Sequence, residues 1–316
     1  MLLTKSILTH RIPINFRESD NSNILSSLPV DPTNNITYYY TYFPGGSFEL
    51  TAQLTKARDS SMNDNGDSTL LYETGTPNHV ATPIVRESSL IGYWKLDEGT
   101  GTVVKNYGII GKSAEGTFNG TGTKWATVTG TGESIGVFNP STTATNDHVI
   151  TPAFAIPNID GTLTISSWVN CTSQAYMQSI IGNWTGDDNT GYIFVFRREP
   201  SNNLEYEFVT GSANSKYTSS NIFLNYDNQW ILITTVANYN SRNIKVYRNG
   251  TLFSNSGTIA TPMIFPSTSR LEYIGKEPNN AAKMSGYIDD VRIYNRTLTE
   301  DEIMGLYGSR KAKYGL

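Results

Sequence analysis

The sequence has one cysteine, Cys171, and three histidines. A single cysteine excludes an intrachain disulfide and a cysteine-based zinc site, and His10, His79 and His148 are too scattered along the chain to suggest a metal-binding cluster. We expect Cys171 to be a small, buried or half-buried strand residue.

Charged residues and long apolar runs are scarce as well. Only 16% of the residues are charged, the net charge is −4 at pH 7, and no basic cluster stands out. Nucleic acids and anionic membranes are therefore poor partners, and binding of polyanions is disfavoured. No apolar run approaches the ~18 residues of a membrane helix, and residues 1–11 lack the apolar stretch of a secretory signal. The sequence thus shows no membrane segment and no export signal.

Threonine, asparagine, serine, glycine and tyrosine are abundant instead, as is typical of β-rich extracellular or surface proteins with many turns. Many short stretches suited to strands are separated by turn residues, which predicts a two-sheet antiparallel sandwich. Asn249-Gly250 is the clearest hairpin signal because both central residues of such a turn need positive φ. The predicted strands lie near residues 93–96, 134–138, 147–150, 162–170, 178–182, 191–197, 204–210, 229–238, 243–248, 251–254, 271–275 and 286–294.

The last predicted strand is followed at once by a helix signal. Alternation along the strand predicts a core face of Tyr287, Asp289, Val291 and Ile293, with Ile288, Asp290, Arg292 and Tyr294 on the other face.

Thr299 and Glu302 have the spacing of a capping box, and Ile303, Leu306 and Tyr307 form an apolar stripe before a stop at Gly308. A helix of about eight residues is unstable alone in water, so it must dock on a folded sheet.

This closing segment carries a family resemblance. Residues 286–303 read Gly-x-Ile-Asp-Asp-Val-Arg-Ile-Tyr-Asn-Arg-x-Leu-x-x-x-Glu-Ile, which resembles the final strand and helix of laminin-G-like jelly rolls in the concanavalin A-like lectin/glucanase group. Four other signatures of that group occur earlier in the chain, in the expected order: Gly-Tyr-Trp-Lys-Leu-Asp-Glu-Gly-Thr-Gly at 92–101, Leu-Thr-Ile-Ser-Ser-Trp-Val at 163–169, Gln229-Trp230, and Val-Tyr-Arg-Asn-Gly at 246–250. The resemblance implies an all-β jelly-roll sandwich with a short C-terminal helix, in which Trp94, Trp168 and Trp230 belong to the core.

The N-terminal part has a different pattern. Residues 36–43 and 48–54 flank Pro44-Gly45-Gly46 and predict a small β-hairpin. Residues 28–83 resemble the C-terminal β-region of bacterial type IV pilin-like proteins and pseudopilins, although the long apolar helix of that family is absent. We predict an irregular segment at 1–30, a pilin-like β-element with linker at 31–85, the jelly roll at 86–309 and a tail at 310–316.

Signals for catalysis are weak. The resembling glucanases carry Glu-x-Asp-x-x-Glu on one strand, and this string does not occur here; a Gly-x-Ser-x-Gly elbow is missing too. Glu205 and Glu207 share a strand face and could make a carboxylate pair of the kind that glycosidases use, but a solvated strand gives the same pattern. We predict that the protein is not an enzyme, with a glycoside hydrolase as a distant alternative.

A calcium ion is one prediction for the carboxylates of the jelly roll. The resemblance places the first strand beside the last, which would bring Asp97 or Glu98 near Asp289 or Asp290. Converging carboxylates repel one another unless a cation such as calcium lies between them. The alternative is that loop amides, or ion pairs with Arg292 or Arg296, offset the charge of Asp289.

A ligand site is predicted in the loop that follows Asn183. The residues proposed to bind are Trp184, Asp187, Asp188, Asn189 and Tyr192. An aromatic ring can stack on the C–H face of a sugar while amides and carboxylates bind its hydroxyls, and binding residues often lie on such loops. Trp184 could instead be a core residue, and the Asp-Asp-Asn run a solvated turn.

These observations favour a noncatalytic binding module at the cell surface or outside the cell, recognising a carbohydrate or glycoprotein through rim loops of the jelly roll. The alternative is a structural subunit of a pilus or secretion-related filament without a ligand of its own, whose partners would be other filament components.

Overall fold

The structure, a computed structural model, describes residues 40–42, 49–53 and 71–75, and residues 89–316 except 130, 139–146, 173–176, 184–196, 199–201, 210–213, 267 and 278–281. The chain forms two compact units, Met1–Ile84 and Val85–Leu316. Among the described residues, no helix has both the length and the apolar character needed to cross a membrane.

The described part of the first unit is a three-stranded antiparallel sheet. Its strands are β1 (Tyr40–Tyr42), β2 (Glu49–Gln53) and β3 (Leu71–Gly75), in the order β1-β2-β3. The pairing of β1 with β2 confirms the predicted hairpin. The third strand was not predicted, because its pairing with β2 connects residues well separated in the sequence.

The second unit is a β-domain with one α-helix among its described residues. Short 3₁₀ helices occupy Gly111–Ala114 and Lys311–Tyr314, and the α-helix is α1 (Glu300–Arg310). The strands are β4 (Leu90–Trp94), β5 (Val103–Val104), β6 (Gly116–Asn119), β7 (Trp125–Thr127), β8 (Ser134–Phe138), β9 (His148–Ile150), β10 (Thr162–Cys171), β11 (Gln178–Ser179), β12 (Ile181–Gly182), β13 (Arg197–Arg198), β14 (Leu204–Val209), β15 (Asn214–Ser219), β16 (Trp230–Asn238), β17 (Asn243–Arg248), β18 (Thr251–Asn255), β19 (Tyr273–Ile274) and β20 (Gly286–Tyr294).

The described strands of this unit form antiparallel sheets, as predicted. The largest has the order β18-β17-β16-β10-β20-β8-β7, with β4 also paired to β20. A five-stranded sheet has the order β12-β19-β9-β6-β5, and a four-stranded sheet has the order β11-β13-β14-β15. Val291 lies opposite Trp94. The first and last strands of the domain are therefore adjacent, which closes the jelly roll as expected.

The main core contains the inward side chains of these strands. Trp94 is fully buried there and donates from Nε1 to the carbonyl oxygen of Ala114 at 2.9 Å. Ile165 and Val169 of β10 lie in the same cluster. Cys171 is buried at the end of β10, which confirms its predicted place in a strand.

A bulge in β20 changes the predicted faces of that strand. Asp290 has φ 51°, and the register with β10 shifts at this point, so Ile288, Val291 and Ile293 all enter the core. Asp289 lies opposite Trp168 on the outer face of the sheet. The strict alternation that placed Tyr287 and Asp289 on the core face with Val291 is wrong because the extra residue of a bulge reverses the faces.

Helix α1 docks on the folded domain as predicted, but its 11 residues make it longer than the predicted helix. Thr299 and Glu302 form the capping box, with hydrogen bonds of 2.7 and 3.2 Å, and Ile303 is fully buried. The stop predicted at Gly308 is wrong. Gly308 does not adopt the left-handed conformation of a terminating glycine, and the helix continues to Arg310; the left-handed residue is Gly315, with φ 76°.

Residues 310–316 were predicted to be a tail, but they pack against the outer face of the large sheet. The ring of Tyr314 lies 4.3 Å from that of Trp168 and 4.5 Å from that of Trp230, centroid to centroid. Trp168 is therefore buried on the outer face and not between the sheets, and Trp230 is only half-buried. Of the three tryptophans assigned to the core, Trp94 alone lies in the main core cluster.

Candidate functional site

An open pocket of about 290 Å³ lies at one end of the five-stranded sheet. Tyr273 of β19 and Asn183, the residue after β12, contribute to its wall because β12 and β19 are paired. The segment before β19 adds Thr268, Ser269, Arg270 and Leu271. The residues around the pocket thus include an aromatic residue, an amide residue, two hydroxyl residues and an arginine.

Tyr273 and His148 form a stacked pair on the outward face of this sheet. Ile274 and Val149, the next residues along β19 and β9, are buried in the core, so the alternation of a strand turns Tyr273 and His148 outward. Their ring centroids are 6.0 Å apart with planes inclined by 19°, and both residues are partly exposed. We call this pair the aromatic platform.

Asn183 and Glu272 form a buried polar pair beside the platform. The Asn183 side chain donates from Nδ2 to Oε1 of Glu272 at 3.0 Å, and the two residues are 1% and 0% exposed. Two hydrogen bonds to Thr151 fix the backbone of Glu272. The Glu272 N–H donates to Oγ1 of Thr151, and the Thr151 N–H donates to the Glu272 carbonyl oxygen, each at 3.0 Å. Oδ1 of Asn183 has no hydrogen-bond partner in the described part of the chain. A ligand or a water molecule in the pocket could supply one.

The predicted binding residues Trp184, Asp187, Asp188, Asn189 and Tyr192 lie outside the described residues. Asn183, which directly precedes them in the sequence, is described and lines the pocket. Sequence reasoning missed Tyr273, His148 and Arg270. A strand was predicted at 271–275, and an outward tyrosine between Glu272 and Ile274 was the available signal, but nothing in the sequence pairs Tyr273 with His148.

Two of the predicted calcium ligands, Asp289 and Asp290, lie in a different place, on the outer face of the large sheet. Tyr93 donates to Oδ1 of Asp290 at 2.5 Å, and Arg292 and Arg310 contact its two carboxylate oxygens at 3.1 and 2.6 Å. Burial alone would raise the pKa of Asp290. The two guanidinium groups and the hydrogen bonds from Arg310 and Tyr93 outweigh it and hold this pKa well below its usual range.

Asp289 has separate partners in the C-terminal segment. Lys313 and Tyr314 both reach its Oδ2, each at 2.5 Å. Burial and the adjacent Asp290 raise the pKa of Asp289 to about 8, against the opposing effect of Lys313 and Tyr314. Asp289 thus contacts Lys313 and not Arg292 or Arg296, the two partners that the ion-pair alternative named. Arg296 instead pairs with Glu302, at 2.6 Å.

The four predicted calcium ligands do not converge. Glu98 accepts a hydrogen bond from the backbone N–H of Lys105 at 2.8 Å, whereas Asp289 and Asp290 contact cationic side chains. Within the described ranges, no group of three or more His, Cys, Asp or Glu side chains could hold a metal ion. In the described residues, Asp97, Glu98, Asp289 and Asp290 thus form no such group, and a bound calcium ion stays a prediction.

Comparison with known proteins identifies the family. Residues 143–304, a little over half of the chain, match the Laminin_G_3 family model, described as the concanavalin A-like lectin/glucanases superfamily. The chain belongs to this superfamily. The match does not reach residues 28–83, so the pilin-like resemblance there stays a prediction. No curated protein matches the sequence.

Solved structures show the same concanavalin A-like fold at low identity. The binding domain of botulinum neurotoxin DC, in complex with rat synaptotagmin II, is 15% identical over 71% of this chain and 52% of its own, with a TM-score of 0.51. The botulinum neurotoxin serotype D binding domain is also 15% identical, over 70% of this chain and 51% of its own, with a TM-score of 0.50. This chain spans about half the length of each.

The candidate catalytic pair of this concanavalin A-like domain is buried. Glu205 and Glu207 are 1% and 8% exposed in β14, and Glu205 forms an ion pair with Lys216 of β15. The solvated strand offered as the alternative explanation is therefore wrong. Residues on the opposite face, Tyr206 and Phe208, also belong to the core cluster. A hydrolase would have to present both carboxylates to a glycosidic bond, and burial opposes this.

Chelation should leave the stability of the domain unchanged. We expect excess EDTA to leave the melting temperature where it is, because Lys313, Arg292 and Arg310 already offset the carboxylate charges. Thermal unfolding of protein dialysed against calcium, with and without EDTA, measures this. A drop of several degrees that added calcium reverses would show instead that a bound cation stabilises the fold.

Proposed function

We propose that the chain is a noncatalytic module that binds a carbohydrate or glycoprotein at the cell surface or outside the cell. The observation that carries this proposal is the aromatic platform of Tyr273 and His148 beside the Asn183 pocket. Membership in a superfamily named for lectins and glucanases, and the low charge of the chain, support it. The burial of Glu205 and Glu207 supports the noncatalytic part.

The chemistry of the pocket suits a sugar. A pyranose ring has apolar C–H faces that pack on an aromatic ring, and equatorial hydroxyls that both donate and accept hydrogen bonds. Tyr273 offers the ring, while Asn183 and the hydroxyls of Thr268 and Ser269 offer polar partners. A volume of about 290 Å³ lies near the lower end of the range for small-molecule sites, which suits one or two sugar units.

Strong binding through such a site requires that many copies of the module are displayed together. Each contact contributes about 0.5–1.5 kcal/mol, so a single site of this size binds weakly. Display of many copies on a surface would raise the overall avidity by orders of magnitude.

A glycan array probed with the full chain tests the proposal. We expect at least one class of saccharide to bind, and Tyr273→Ala to lower its affinity about tenfold by removing the stacking surface. Tyr107→Ala is the matched control. Tyr107 is an exposed tyrosine away from the pocket, and its backbone N–H donates a hydrogen bond to β4 of the largest sheet. Silence across the array would favour the structural subunit of a filament, and equal losses in both variants would argue against the platform.

A further inference from the structure

Two lysines face each other beside the platform. Lys276 and Lys283 are partners in an isolated antiparallel bridge that follows β19. Residues opposed in this way have Cβ atoms about 4.5–5.5 Å apart, and like charges in such positions destabilise the pairing. In the described part of the chain, neither ammonium group has an ion-pair partner. Among the described residues, these two positive charges thus lie together without a negative partner.

Lys276 is also unusually buried for a lysine. It is only 6% exposed, whereas lysines are almost never this buried unless they are paired. Burial, and then the charge of Lys283, lower its pKa. Its Nζ lies 5.8 Å from the ring centroid of Tyr273, the distance of a cation–π contact. That contact orients the ammonium toward the platform but adds no negative charge.

We propose that the ligand of the platform carries a carboxylate or sulfate group, which Lys276 and Lys283 bind while Tyr273 stacks on the attached sugar ring. This inference rests on the proposed function and names its ligand class, a short acidic saccharide. A single acidic group bound between the lysines removes their mutual repulsion. Long polyanions remain poor ligands, because the net charge of −4 repels them.

The test compares saccharides that differ only in the acidic group. Full-length protein is titrated by calorimetry with sulfolactose and lactose, with sialyllactose and its neutral methyl ester, and with oligogalacturonates and their neutral methyl esters. We expect an acidic member to bind at least about tenfold more tightly than its neutral counterpart. Higher salt should narrow this difference, since ions screen the charge of the partly exposed Lys283. The carboxylated and sulfated members show which of the two acidic groups the site takes.

Lys276→Gln and Lys283→Gln provide the residue-level test. Each variant should lower the affinity for the acidic saccharide about tenfold and leave the affinity for the neutral saccharide unchanged. Lys245→Gln, on β17 of the largest sheet, is the control and should change neither affinity. Lys283→Gln removes a like-charge contact, so its melting temperature should not fall. Lost binding in this variant therefore cannot be attributed to unfolding, even if Lys276→Gln proves unstable.

Two results would overturn the inference in distinguishable ways. Equal binding of acidic and neutral saccharides, or acidic binding that survives both glutamine variants, removes the lysine site while the sugar-binding platform stands. Absence of binding by every saccharide of the titration and of the glycan array removes the proposed function and this inference together.

Discussion

Asp290→Asn is expected to lower the free energy of unfolding by about 3–5 kcal/mol. The substitution keeps the shape of the side chain but leaves Arg292 and Arg310 without the carboxylate that they share. Breaking a buried ion pair from one side has this cost because the remaining charge stays desolvated. Urea unfolding of the full chain followed by tryptophan fluorescence measures it, since all five tryptophans, Trp94 to Trp230, lie in the second unit.

The pH dependence of this effect has a definite sign. Since the folded state holds the pKa of Asp290 below its usual range, the stabilisation is present above the unfolded carboxyl pKa of about 4 and is lost as the pH falls below it. The difference between wild type and Asp290→Asn should therefore shrink between pH 5 and pH 3. Asp97→Asn is the control, expected to change stability by less than about 0.5 kcal/mol. A constant difference across this pH range would contradict the assigned charge state.

Tyr314→Ala is expected to destabilise the domain by about 3 kcal/mol. Tyr314 covers Trp168 and Trp230 and donates to Asp289, so its truncation removes aromatic packing and exposes a polar group. We expect the same urea titration to show the loss, together with a red shift of native tryptophan emission as Trp168 gains contact with water.

Tyr314→Phe separates the two contributions of this residue. It keeps the ring on the tryptophans and removes only the hydroxyl, so its cost should be about 1–2 kcal/mol without a red shift. If Tyr314→Ala unfolded like wild type, residues 310–316 would behave as the tail that the sequence suggested, and their packing against the sheet would be contradicted.

The fold was largely predictable because the determining signals are local. The Asn249-Gly250 turn, with φ of 51° and 82°, and the capping box at Thr299 depend on residues a few positions apart. The pairing of β20 with β4 was predictable only through the family resemblance. The bulge at Asp290 was not, because the alternation of a strand carries no mark of an inserted residue until its partner strand is known.

The candidate site was harder to predict for the same reason. Tyr273 and His148 are neighbours through the pairing of β19 with β9, which connects distant parts of the sequence. The bridge between Lys276 and Lys283 likewise depends on a pairing that the residue types alone do not specify. The calcium prediction failed to anticipate Lys313 and Arg310, because the segment that carries them was taken for a tail.

Hydrogen–deuterium exchange of the full chain, with and without a saccharide found on the array, tests the platform as a binding site most directly. Ligand should slow exchange in β12, in β19 and in residues 268–272, which flank the pocket and Tyr273. Lys276→Gln should retain this pattern with a neutral saccharide. Slowed exchange confined to β14 and β15, or spread evenly over the domain, would contradict a binding site at the end of the five-stranded sheet.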